Sequence, residues 1–229
     1  MKLTLCLLTW NELGGCRRDV PLLPRFAFDE IFAIDGGSTD GTVEYLEENG
    51  IPVHRQSLPG YNNSYISAFR ACTTDALILF HPKGTVDPAE LLKVRPLLSE
   101  GYDLVVASRM IAGAANEEDG RFFKPRKWFV LALALVASAL WRREGIIVWD
   151  VLHGFRAMRR DAFFSISPLE RGLSIDLEMV VRSYRHALRR IEFPVSERAR
   201  REGETHFRAF PTGRKLLRYL LFELTRRSS

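Results

Sequence analysis

The chain has 229 residues, 46% of them hydrophobic, enough for one well-buried core with appended helices and too few for a second enzyme domain. Its net charge of +5 is unevenly distributed: residues 1–120 carry 10 Lys/Arg against 17 Asp/Glu, and residues 121–229 carry 23 against 11. A basic second half points to an anionic lipid or phosphate partner, and the lack of aromatic residues interleaved with its arginines argues against nucleic acid.

Three cysteines (Cys6, Cys16, Cys72) without metal-type spacing suit reduced thiols in a cytosolic compartment. The opening MKLTLCLLTWNE turns polar too early for a signal peptide and reads as a first strand. Within it, Leu3 to Leu8 is expected to be a parallel strand covered on both faces, with Thr9, Trp10, Asn11 and Glu12 at its tip. Asn11 and Glu12 read either as caps of the next helix or as ligand contacts. Pro21 and Pro24 forbid a long helix across 17–28.

Ile31 to Asp35 is the second strand, inside the stretch FAIDGGSTDGT (Phe32 to Thr42). Asp35 falls at its carboxyl tip, Gly36 and Gly37 let the backbone turn, and Ser38 or Thr39 is expected to cap a helix that begins near Asp40 and ends at Asn49 and Gly50. A carboxylate at the carboxyl edge of a sheet, beside a helix N-terminus, marks the place where open α/β sheets bind nucleotides. The glycines of GGSTDG lack the spacing of a dinucleotide fingerprint, which excludes a nicotinamide-binding reading.

A short third strand follows at 51–55, then a helix over Ser64 to Cys72 with Ile66, Ala68 and Phe69 turned to the core. Asp75 to Phe80 is a strong central strand with His81, Pro82 and Lys83 at its tip. Leu91 to Leu98 reads as a helix, and Asp103 to Ser108 as a strand ending in Arg109. The loop 111–120 is expected to leave Glu117, Glu118 and Asp119 solvated. Trp128 to Trp141 is apolar for 14 residues, flanked by Arg126, Lys127, Arg142 and Arg143. It is shorter than the roughly 20 residues a bilayer crossing needs, so it lies at a membrane interface or in the core. Arg159 and Arg160 suit a phosphate or plain surface charge. Asp176 and Glu178, two apart on a helix, face different ways. His186 and His206 read as structural, Ile191 to Val195 as an edge strand carrying Pro194. Gly213 to Ser229 is a basic amphipathic helix with Leu216, Leu217, Leu220, Leu221 and Leu224 on one stripe.

DGGSTDGT resembles the DDGSTDGT signature of family 2 glycosyltransferases. LTWNE (8–12), DLVVASR (103–109), HGFRAMRRDAF (153–163), IDLEMV (175–180) and REGETHF (201–207) match in the same order along nearly the whole chain. Within that family the pattern is most similar to the dolichol- or polyprenyl-phosphate sugar synthases. The resemblance implies an α/β fold of the GT-A type, a mostly parallel sheet flanked by helices, over residues 1–210, with a C-terminal helix over 211–229. It implies a nucleotide-sugar donor contacted by Thr9, Asn11, Glu12, Asp35, Gly36, Gly37, Ser38, His81, Arg109 and Arg201. It places Gly154, Phe155 and Arg156 beside the acceptor, and Asp176 as general base where that acceptor is a hydroxyl.

Two departures matter. Gly36 stands where the family has a second Asp, and His81-Pro82-Lys83 stands where an Asp-x-Asp normally holds Mg²⁺ or Mn²⁺ against the donor diphosphate. An imidazole and an ammonium do not make that oxygen site, so no residue is assigned to a metal and Mg²⁺ or Mn²⁺ is left open as a cofactor without its usual ligands; Lys83 can act instead as a point charge. In REGETHF, Thr205 and His206 replace the Ser and Lys of the family's closing segment. The expectation is an inverting transferase acting at the cytoplasmic face of a membrane, bound peripherally to an anionic surface, with polyprenyl phosphate or a glycan as acceptor. The alternative is a non-catalytic donor-binding or scaffold relative.

Overall fold

The computed structural model describes residues 1–56, 58–120, 122–200 and 209–226. Seven strands form one sheet in the order β3-β2-β1-β4-β6-β5-β7: β1 Leu3–Thr9, β2 Glu30–Asp35, β3 Val53–Arg55, β4 Ala76–Phe80, β5 Leu104–Ser108, β6 Arg156–Arg159 and β7 Arg190–Pro194. Only β6 is antiparallel to its neighbours, β4 and β5. The sheet is therefore mostly parallel, as expected, and β1, β4 and β5 are buried along their whole length.

Alternation along the strands sorts the core into two layers. Leu3, Leu5 and Leu7 with Ile78 and Phe80 face α1 (Leu13–Asp19), α2 (Thr42–Glu48) and α4 (Val94–Ser99). Cys6 and Leu8 with Leu77 and Leu79 face α3 (Tyr61–Ala71), α5 (Pro125–Trp141), α7 (Ile175–Arg185) and α8 (Ala209–Thr225). A further short helix, α6 (Arg160–Ser165), brings Phe163 onto Phe69 of α3, rings stacked with centroids 3.7 Å apart.

Several local expectations are corrected. α2 begins at Thr42, not near Asp40, because Asp40 accepts hydrogen bonds from the Thr42 backbone and hydroxyl. α3 starts three residues early, at Tyr61, after Gly60 with φ 127°. The 91–98 helix divides into a 3-10 turn, Pro88–Lys93, and α4. Glu118 is buried rather than solvated: it accepts from the Lys127 backbone in the first turn of α5, while Asp119 pairs with Lys124 and Lys127. β7 is an edge strand with Pro194 at its last position, as read.

The two apolar helices each split their hydrophobic residues. α5 buries Val130, Leu133, Ala134 and Ala137 and exposes Trp128, Leu135, Val136 and Leu140. α8 does not carry one leucine stripe: Leu216 and Leu220 enter the core with Tyr219, whereas Leu217, Leu221 and Leu224 face outward. No helix among the described residues is long and apolar enough to cross a membrane. α8 is locked to α7 by a buried network in which Arg182 pairs with Glu178 and Glu223, and Glu223 also pairs with Arg185. Burial pushes the Glu178 carboxyl up to about 7, with Arg182 pulling it back down.

Candidate active site at the carboxyl edge of the sheet

The carboxyl ends of β1, β2, β4 and β5 lie on one edge, with Thr9 opposite Asp35 and Leu7 opposite Phe80 in register. Because β6 runs the other way, its amino end, and with it Gly154, Phe155 and Arg156, reaches the same edge. The topology thus gathers most of the predicted residues, although it uses several of them differently from expectation.

Asp35 is engaged within its own turn. Its Oδ2 accepts from the backbone nitrogens of Gly37 (2.7 Å) and Ser38 (2.8 Å); its Oδ1 accepts from Ser38 Oγ (2.5 Å) and Thr9 Oγ1 (3.2 Å). At 1% exposure the carboxylate is tied to the turn, and the Ser38 and Thr9 hydroxyls are tied to Asp35. Gly37 takes φ 97°, which lets the amide approach. A Cβ at Gly36 would sit 3.2 Å from that of Trp10, whose side chain is half exposed beside the turn.

Asn11 neither caps α1 nor points out. It occupies the left-handed region at φ 52°, which Asn tolerates, accepts from the Thr39 backbone at 2.8 Å and donates its own amide to Ser38 Oγ at 2.8 Å. The tip of β1 and the DGGST loop are thereby fastened into one surface. Glu12 is buried and ion-paired with Arg200.

Arg109 is also committed. Asp150 receives Nε (2.8 Å) and Nη2 (2.9 Å), and Glu197 receives Nη1 (2.7 Å). Burial opposes the Arg109 charge, but Asp150 and Glu197 more than offset it; in turn Arg109 holds the buried Asp150 carboxyl down to about 2. Arg109 thus clamps the β5 tip to the 150 and 197 segments. Arg201, together with Thr205 and His206, lies outside the described residues.

At the tip of β4, His81 carries a buried Nε2 without a hydrogen-bond partner. The ring stacks on Tyr61 with centroids 6.0 Å apart and packs against Gly154, where a Cβ would come 2.5 Å from Nε2. Burial, and then the Lys83 charge, lower its pKa well below the usual value, so the imidazole is neutral. Lys83 follows a tight turn in which its backbone nitrogen donates to the His81 carbonyl at 2.9 Å. Its ammonium forms no ion pair within 4 Å among the described residues, yet it lies in the field of Glu12 and Glu197, with Arg200 and Arg109 beyond. Burial lowers the Lys83 pKa, the two carboxylates raise it, and the two arginines lower it again.

Asp176, in the first turn of α7, is held from three sides. Tyr61 donates to Oδ2 and Tyr65 to Oδ1, both at 2.8 Å, and Arg156 Nε lies 3.1 Å from Oδ1. Burial and the Asp176 charge push both phenols well above their ordinary pKa, so they remain protonated donors. Arg156 is fully buried and also donates to the carbonyls of His153 and Asp176; Phe155 lies in the core against Phe80 and Phe193. Both side chains are engaged internally, Arg156 bracing Asp176 and Phe155 the sheet. The sequence reading missed Tyr61, Tyr65, Asp150, Glu197 and Arg200, for which no local motif exists.

A divalent cation of the kind found in the fold's solved relatives would need oxygen donors at the β4 tip. The residues present are an imidazole nitrogen and an ammonium, and no group of three His, Cys, Asp or Glu suited to a metal occurs among the described residues. The donor set does not fit Mg²⁺ or Mn²⁺.

Among solved structures, the fold is similar to glucosyl-3-phosphoglycerate synthase from Mycobacterium tuberculosis in complex with Mn²⁺, UDP and glucosyl-3-phosphoglycerate (TM-score 0.75, 20% identity, covering all of this chain and 81% of that one). Among characterised sequences, the undecaprenyl-phosphate mannosyltransferase of Micrococcus luteus is 25% identical over 226 residues, 90% of this chain and 87% of its own. The dolichyl-phosphate hexose transferase of Haloferax volcanii is 30% identical over 185 residues, 80% of this chain and 76% of its own. Glycosyltransferase AglJ of the same organism is 27% identical over 201 residues, and the match spans 64% of its length. The family profile described as glycosyl transferase family 2 matches residues 22–165, more than half of the sequence, and the chain belongs to that family.

Proposed function

We propose that the protein transfers a hexose from a nucleotide-sugar donor to a lipid phosphate at an anionic membrane surface on the cytoplasmic side, with inversion at the anomeric carbon and without a metal. The observation that carries this reading is Lys83: a cation at the tip of the central strand, where the family pattern has its metal carboxylates, with Glu12 and Glu197 near it but no ion pair within 4 Å among the described residues. When the acceptor oxygen attacks C1, the bond from C1 to the diphosphate oxygen breaks, and negative charge builds on the departing nucleoside diphosphate. A pre-placed ammonium stabilises that charge. Asp35, Asn11 and Ser38 are positioning residues that shape the nucleoside-facing surface.

The state of Asp176 supports the acceptor class. Both Asp176 oxygens already accept from a phenol, and one also faces a guanidinium, while a lipid phosphate, unlike a sugar hydroxyl, arrives ionised and needs no base. The named relatives that act on undecaprenyl and dolichyl phosphate are consistent with it. The exposed apolar faces of α5 and α8, flanked by Arg and Lys, suit the membrane contact.

A second reading, a donor-binding protein without turnover, draws on the same facts: Asp35 and Asp176 are both satisfied internally, and the paired metal carboxylates are absent. Incubation with a panel of nucleotide sugars and polyprenyl phosphate separates the two. The proposal predicts a lipid-linked hexose, with a glycan acceptor inert; donor binding without product in every combination would establish the second reading.

A further inference from the structure

A cavity of about 260 Å³ opens between α8 and the loop that leads into α7. Its floor is Leu169, Leu173, Tyr219 and Phe222, and its rim carries Arg171, Lys215 and Arg218. None of these three cations forms an ion pair among the described residues, although other arginines nearby, Arg182 and Arg185 on α7, are paired with carboxylates.

Both walls are fixed before any ligand arrives. Asn62 holds the loop at four points: its backbone nitrogen donates to the Gly172 carbonyl, its side-chain amide donates to the Leu169 and Arg171 carbonyls, and its side-chain oxygen accepts from the Ile175 nitrogen. Glu178 accepts from the Leu169 nitrogen at 2.8 Å, and Glu223 ties α8 to Arg182 and Arg185. The cavity is thus a rigid notch rather than a gap between loose segments. Phe222, 46% exposed, carries the apolar lining outward to the surface of α8.

We propose that this notch binds the phosphate head group of a membrane lipid, the three cations taking the phosphate oxygens and Leu169, Leu173, Tyr219 and Phe222 lying against the start of the acyl region. A free phosphate would use the cations but leave the apolar lining, with the half-exposed Phe222, in water; a neutral apolar ligand would leave three cations uncompensated. Only an anion with a hydrocarbon tail satisfies both halves. The inference rests on the membrane reading above and names the residues through which it works.

Flotation with vesicles of phosphatidylcholine, with and without phosphatidylglycerol, tests it. The wild type is expected to float with the anionic vesicles and not the neutral ones, with no competition from inorganic phosphate. The variant Arg171→Ala/Lys215→Ala/Arg218→Ala is expected to bind about 100-fold more weakly, at about fivefold per cation. All three side chains are exposed, and an unchanged circular dichroism melt checks the fold. As a charge-matched control, Arg17→Ala/Arg55→Ala/Lys93→Ala should float like the wild type. Wild-type binding that survives in the cavity variant, or falls equally in the control, overturns the notch alone; a wild type that ignores anionic vesicles overturns the membrane reading itself. Competition by inorganic phosphate would mean that the notch is a free-phosphate site, which also overturns the proposal.

Discussion

Replacing Lys83 by methionine is expected to lower kcat by about 10²- to 10³-fold while changing KM for the donor far less. That is the scale seen when a single pre-placed group facing developing charge is removed. Methionine keeps the length of the stem and the packing beside His81 but deletes the charge. Arginine should recover part of the rate, because it restores the cation with a bulkier, differently directed head. The pH profile gives an independent sign. The catalytic form is the protonated ammonium, and burial lowers its pKa, so kcat/KM for the wild type should fall as pH rises through a value below that of an ordinary lysine. The methionine variant should lose that alkaline limb. Steady-state kinetics across pH checks both points; a variant within about twofold of the wild type in kcat would remove Lys83 from the chemistry.

Substituting Gly15 by alanine is expected to be the most damaging small change to the fold. A Cβ there would come 2.1 Å from the Pro82 carbonyl oxygen and 2.7 Å from the Lys83 Cα, both backbone atoms that cannot rotate aside. Either α1 must lift off the β4 tip or the His81–Lys83 turn must deform. The cost is about 3 kcal/mol, which for a chain of this size lowers Tm by roughly 6–12 °C. Thermal denaturation followed by circular dichroism measures it. A Tm shift under about 2 °C would show that the contact is looser than described. Activity should fall as well, since relief of the clash moves the lysine.

The strands were legible in the sequence because the physics that makes them is local. Leu3 to Leu8 and Ala76 to Phe80 are too short and too apolar for anything but strands buried on both faces, and they lie side by side at the centre of the sheet. The edge that carries the site follows from which residues end those runs. What the sequence did not disclose is how each polar side chain is spent. Asp35 turns inward because two amides and two hydroxyls converge on it, a matter of loop geometry that the order Asp-Gly-Gly-Ser leaves open.

Long-range pairing hides the rest. Arg109 meets carboxylates 41 and 88 positions away, and Asp176 meets phenols 115 and 111 positions away; no spacing rule reaches so far. The same limit applies to α8, whose leucines share a stripe in the sequence but are divided between core and surface by the position of α7. The break in the family pattern at His81-Pro82-Lys83, by contrast, was readable from residue chemistry alone, since neither an ammonium nor a buried neutral imidazole replaces two carboxylates around a hard cation.

Sugar transfer by purified protein, stripped of metals and assayed in excess EDTA, tests the central claim most directly. The account predicts a rate within about twofold of that measured with added Mg²⁺ or Mn²⁺. Activity abolished by chelation and restored by either ion would contradict it.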